Sequence, residues 1–65
     1  MIDYVQQLHN NFVATKADFY RNQATYDDMR DAAREYLEAV RTAEVAKFGK
    51  AKTKVTPAAI SSLLR

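Results

Sequence analysis

Residues 21–49, RNQATYDDMRDAAREYLEAVRTAEVAKFG, hold the signals from which the architecture follows. Thr25 and Asp28 are spaced as a capping box, in which each side chain satisfies the free main-chain N–H of the other residue at a helix start. Asp27, Asp28 and Asp31 add negative charge at the positive end of the helix dipole. At the far end Gly49 is suited to leave a helix in the left-handed region, with Lys47 and Lys50 at the negative end of the dipole. The span between contains neither Gly nor Pro, so it predicts one helix from about residue 26 to 48. At 1.5 Å per residue such a helix is roughly 34 Å long.

Its periodicity defines two surfaces. Met29, Ala32, Ala33, Tyr36, Val40 and Ala43 share one face, and Tyr26, Leu37 and Phe48 form a shoulder at a spacing of 11, close to three turns. The small alanines let a partner helix approach towards the close end of the usual 8–10 Å range, with aromatic rings filling the gaps. On the opposite face Asp27–Arg30, Asp31–Arg34 and Glu38–Arg41 are expected as solvated pairs worth a few tenths of a kcal/mol each.

Before this helix, Asn22 and Gln23 break the apolar pattern, so residues 21–24 read as a turn. Without Gly or Pro there, pattern alone leaves open whether the chain folds into a hairpin or continues as one long rod. Asp3 and Gln6 are spaced as another capping box and open a helix over about 3–21. One stripe of it holds Met1, Tyr4, Val5, Leu8, Phe12 and Phe19; a second, beside it, holds Ile2, His9, Val13 and Tyr20. Together they exceed the roughly 100° of an ordinary surface helix, so two neighbours are expected for this helix. After Phe48, residues 49–55, GKAKTKV, read as a basic connector. If it is extended, Lys50, Lys52 and Lys54 project to one side. Thr56 then caps a short helix over about 56–65 that opens on Pro57 and aligns Ile60, Leu63 and Leu64. A helix that short does not hold in water alone and must form by docking.

The expected fold is therefore all-α: a long antiparallel helical hairpin plus a short C-terminal helix. A chain of 65 residues with 11 Ala among its hydrophobic 48% has little to bury, so completion by oligomerisation or docking is expected. The same arithmetic excludes a barrel or a doubly wound sheet. With no Cys, disulfide frameworks and Cys-based zinc sites are also excluded, and one Gly and one Pro argue against a turn-rich sandwich. No apolar run approaches a membrane span, and Asp3, Gln6, Gln7 and His9 interrupt any signal-peptide core. The expected location is the cytoplasm or the interior of a virion or other assembly.

Catalytic and metal chemistry find no anchor. His9 lies on an apolar stripe and reads as a packing histidine, because no second ligand stands at helical spacing from it. Asp27, Asp28, Asp31, Glu35 and Glu38 follow the helix start and the solvent face, and no nucleophile, phosphate loop or oxyanion donor accompanies them. We expect no enzyme activity, no cofactor, no metal and no small-molecule substrate.

Charge is more informative. Residues 1–46 hold eight acids and five bases, a net −3, whereas residues 47–65 hold five bases and no acid, a net +5, for the chain's total of +2. Two functions follow as expectations. The first is a non-enzymatic interaction or assembly subunit, of a size that suits a virus- or plasmid-encoded accessory or structural component. It would form a homo-oligomer or join a larger protein complex through Tyr4, Leu8, Phe12, Phe19, Tyr20, Met29, Tyr36, Val40, Ile60, Leu63 and Leu64. The alternative is a small nucleic-acid-binding accessory protein that uses Lys47, Lys50, Lys52 and Lys54. Four lysines on duplex DNA give a salt slope of about −3.5.

Overall fold

The computed structural model describes residues 3–65. It is all-helical among those residues: α1 (Tyr4–Tyr20), α2 (Tyr26–Phe48) and α3 (Pro57–Leu64), with no strand. Met1 and Ile2, assigned to the apolar stripes of the first helix, lie outside the described residues.

Each helix starts on a side-chain cap. Thr25 Oγ1 accepts the Asp28 N–H at 3.1 Å and Asp28 Oδ2 accepts the Thr25 N–H at 3.1 Å, which completes the capping box of α2. Thr56 Oγ1 accepts the Ala59 N–H at 3.2 Å, with Pro57 as the first residue of α3. The box expected at α1 forms only in half. Asp3 Oδ1 accepts the Val5 N–H at 3.0 Å, but Gln6 does not return the bond and instead donates to Asn10 Oδ1 at 3.0 Å. A partner one turn ahead on the same helix face competes for the amide and wins.

The turn closes the hairpin without glycine. Asn22 adopts φ 61°, the left-handed region that Asn tolerates better than most residues. Its N–H donates to Phe19 O at 3.0 Å, and the Gln23 N–H donates to Asp18 O at 2.8 Å. This nested pair is the Schellman pattern, which satisfies the last carbonyls of α1 and reverses the chain. Gly49 ends α2 more simply, at φ 79° with a single bond from its N–H to Val45 O at 2.9 Å.

The core is a seam along α2. Met29, Ala32, Ala33 and Leu37 of α2 join Phe12 of α1 and Ile60 of α3 in one buried cluster, and Phe19, Tyr36, Val55, Ala59, Leu63 and Leu64 pack against its margin. Ala33 is 0% exposed, and Ala32 beside it only 5%, so both small side chains lie in the seam. Only Phe12 is buried on α1, against five residues on α2. Within the chain α2 is the central helix, packed against both α1 and α3, while much of the second stripe of α1 stays open. The shoulder of α2 is covered only in its middle: Leu37 is buried, while Tyr26 and Phe48 at the two ends stay exposed. The Cα trace measures 40 × 30 × 14 Å. Tyr4, Val13, Tyr20, Tyr26, Val45 and Phe48 stay exposed on helix faces that the seam does not use.

Candidate interaction surfaces

Two surfaces remain after the seam has taken its share. The first lies at the turn. Phe19 meets Tyr20 and Tyr26 edge to face, with ring centroids 5.7 and 6.0 Å apart, so three aromatic rings cluster where α1 passes into α2. Phe19 is half-buried, but Tyr20 is 64% exposed and Tyr26 is also open to solvent. Val13, two turns before Tyr20 on the second stripe of α1, is exposed as well. His9, at the other end of that stripe, is turned against the rim of the seam, where its ring meets Tyr36 edge-on at 5.1 Å.

The second surface is the connector. Burial alternates along it: Lys50, Lys52 and Lys54 are exposed, whereas Ala51, Thr53 and Val55 are half-buried. That is the two-residue period of extended backbone, with the lysines on one side and the smaller side chains against the protein. Val55 packs on the core cluster, and the Thr53 N–H donates to Glu44 Oε1 of α2 at 2.9 Å. Lys47, at the end of α2, holds its Nζ 5.5 Å from the centroid of the exposed Phe48 ring. None of these four lysines lies within salt-bridge distance of a carboxylate among the described residues.

Glu44 clips this segment in place. The Thr53 hydroxyl, then the Thr53 N–H, hold its carboxyl below the ordinary Glu value, with a smaller contribution from Lys52. A carboxyl whose acidity is raised by folding stabilises the fold fully above its unfolded value of 4.5 and loses that contribution as pH falls through the folded value. The connector is therefore expected to loosen below about pH 4.5, read as faster amide exchange at Thr53. Glu44→Gln should loosen it at neutral pH and remove that pH dependence; an unchanged exchange rate in the variant would show that the clip is idle.

The acidic side offers less. An open groove of about 370 Å³ between α1 and α2 is lined by Asp18, Asp28, Asp31 and Glu35 among others. Three of these already have partners: Asp28 caps α2, Asp18 pairs with Arg21 at 2.8 Å, and Asp31 with Arg34 at 3.5 Å. The expected Asp27–Arg30 and Glu38–Arg41 pairs are absent from the ion pairs of the described residues; Glu38 reaches back to Arg34 at 4.0 Å instead. Among the described residues no three His, Asp or Glu side chains converge as a metal site, and no helix is long and apolar enough to cross a membrane.

Compared with known proteins, the chain matches no family model, no curated protein and no solved structure. Of the residues expected to form an interface, Phe12, Met29 and Ile60 are buried in the chain's own seam and cannot meet a partner while it is folded. Leu8, Phe19, Tyr36, Val40, Leu63 and Leu64 are half-buried, and only Tyr4 and Tyr20 are open. Helical periodicity finds apolar faces but does not say which neighbour within the chain will cover them.

Lys16 is the residue that pattern reading misses. Its Nζ sits 5.9 Å from the Phe12 ring centroid and donates to the main-chain oxygens of Leu63 at 3.4 Å and Arg65 at 3.2 Å. A cation at a helix C-terminus offsets the negative end of the dipole and satisfies free carbonyls. The available signal was its place between Phe12 and Phe19, one turn from each, where a wholly solvent-facing lysine is out of pattern.

Proposed function

We propose that this chain is a non-enzymatic interaction and assembly subunit that joins a second copy of itself through the aromatic cluster at the hairpin turn. The exposure of Tyr20 and Tyr26 around Phe19 is the observation that carries this reading. Tyrosine suits a surface that is wet in one state and packed in another, because the ring buries apolar area while the hydroxyl keeps a hydrogen-bond partner. Val13 extends the patch along α1, so the surface is a stripe with an aromatic end rather than a single residue. The carboxylates of the acidic groove are largely engaged in caps and ion pairs, which favours a structural over a catalytic role for them.

Tyr20→Ser together with Tyr26→Ser is the test. Both side chains are exposed, so the double variant should keep its helicity. Light scattering from micromolar to millimolar protein is expected to give a dimer or higher mass for the parent chain and a monomer for the variant. A parent chain that stays monomeric throughout, or a variant of unchanged mass, would overturn self-association through the turn. Phe12 is unsuitable as a probe here, because it is buried in the seam and its substitution would report on folding rather than on contact.

A further inference from the structure

We propose that the connector is a preformed ladder for the sugar–phosphate backbone of a single-stranded nucleic acid, with Phe48 as a stacking platform at its head. This site is separate from the aromatic cluster at the turn and stands whether or not the chain self-associates: Tyr26 and Phe48 lie at opposite ends of α2, about 33 Å apart.

Exposure alternates from Lys50 to Val55 with the lysines on the open side, and in extended backbone that period sets successive lysine Cα atoms roughly 6.6–6.8 Å apart. A linear, regular row of cations fits a linear, regular polyanion better than a single phosphate. Residues 47–65 contain no acid that could compete for the lysines. Glu44, the one acid clipped to the segment, is occupied by Thr53. The row is also held in place before any ligand arrives, because Ala51, Thr53 and Val55 face the protein and Val55 is part of the packing around the seam. A row already ordered loses less freedom on binding than a floppy lysine tail.

Phe48 favours a single strand over a duplex. Its ring is 60% exposed at the point where the ladder begins, with Lys47 lying over it. Base faces are available for stacking in a single strand and hidden in a duplex, and alternating cations and aromatic rings are how single strands are held without sequence preference. The same surface is poorly built for lipid. The apolar side of α3, which follows the ladder directly, is turned inward, with Ile60 buried and Leu63 and Leu64 packed against the seam. Among the described residues beside the lysines only Val45 and Phe48 expose large apolar side chains, too narrow a face for a helix to enter a bilayer interface.

The experiment is fluorescence anisotropy of the full chain with labelled mixed-sequence DNA and RNA oligonucleotides over a range of salt. Four lysines on a single strand predict a slope of log K against log salt of about −2.8. DNA and RNA are expected to bind alike, because phosphates are what the row contacts. The quadruple variant K47Q/K50Q/K52Q/K54Q is expected to bind at least about tenfold more weakly at low salt with an unchanged circular dichroism spectrum. Phe48→Ala should weaken binding while leaving the slope where it was, since it removes stacking and no charge. Absence of binding at low salt, or equal binding by the quadruple variant, would overturn the proposal. So would retention on phosphatidylserine vesicles without binding to oligonucleotides, or a salt-sensitive self-association that the lysine variant abolishes while oligonucleotides remain unbound.

Discussion

Phe12→Ala is expected to cost about 3–5 kcal/mol and to bring the chain to the edge of unfolding. Phe12 is the one buried side chain that α1 contributes to the seam, and it is only 6% exposed. Its ring lies nearly parallel to that of Tyr36, with centroids 6.3 Å apart, and Lys16 sits near it on its way to the C-terminal end of α3. Truncation therefore removes the contact that holds α1 on α2 and also uncovers the route by which α1 reaches α3. Small domains have about 0.05–0.15 kcal/mol of stability per residue, so the loss takes a large part of what a 65-residue chain can have. Urea unfolding followed by circular dichroism is the measurement, with Val13→Ala as the control. Val13 is the next residue on the same helix but exposed, and at a concentration too low for self-association its substitution should move stability by no more than about 0.5 kcal/mol. Similar midpoints for the two variants would mean that the seam is not where the stability resides.

The contrast between these adjacent residues marks what the sequence made legible and what it did not. Local signals translated well, because a cap or a helix stop is decided by atoms a few residues apart. Thr25 with Asp28, Thr56 with Pro57, and Gly49 could each be placed from chain spacing alone. The alternation of the connector was legible for the same reason, once the backbone there is extended. The turn was harder, because Asn enters the left-handed region only when the surrounding bonds favour it, and those bonds to Phe19 and Asp18 appear only after α1 has formed. Hardest was the direction of each apolar face. Periodicity marked two aromatic stripes on α1 as needing cover. Within the chain α2 buries the most side chains, its alanines among them, while the bulkier Tyr4 and Tyr20 of α1 stay outside. For the candidate sites the consequence is direct. The lysine row was visible in the sequence, whereas the exposed aromatic cluster emerged only once burial had separated Tyr20 and Tyr26 from Phe12, Met29 and Ile60.

Ile60→Ala is expected to cost about 2–5 kcal/mol, a penalty for a residue only five positions from the last. Eight residues are too few for an isolated helix, so α3 persists only while docked, and Ile60 is the one side chain that it buries. Ile60 belongs to the same buried cluster as Met29, at 2% exposure, and Ala33, at 0%. The loss should therefore be global rather than confined to the end of the chain. In urea the midpoint should fall while the slope stays close to that of the parent, because the same surface is still exposed in one step. An unchanged midpoint would make α3 an appendage and the hairpin the whole folding unit. The coupling also reaches the connector, which is held between Gly49 and α3 and anchored in its middle by Thr53 and Val55. When α3 is released, one end of that span is free, and the lysines regain the mobility of an ordinary basic tail. All four charges remain in the variant, so a drop in oligonucleotide affinity at constant salt slope would isolate the contribution of order from that of charge.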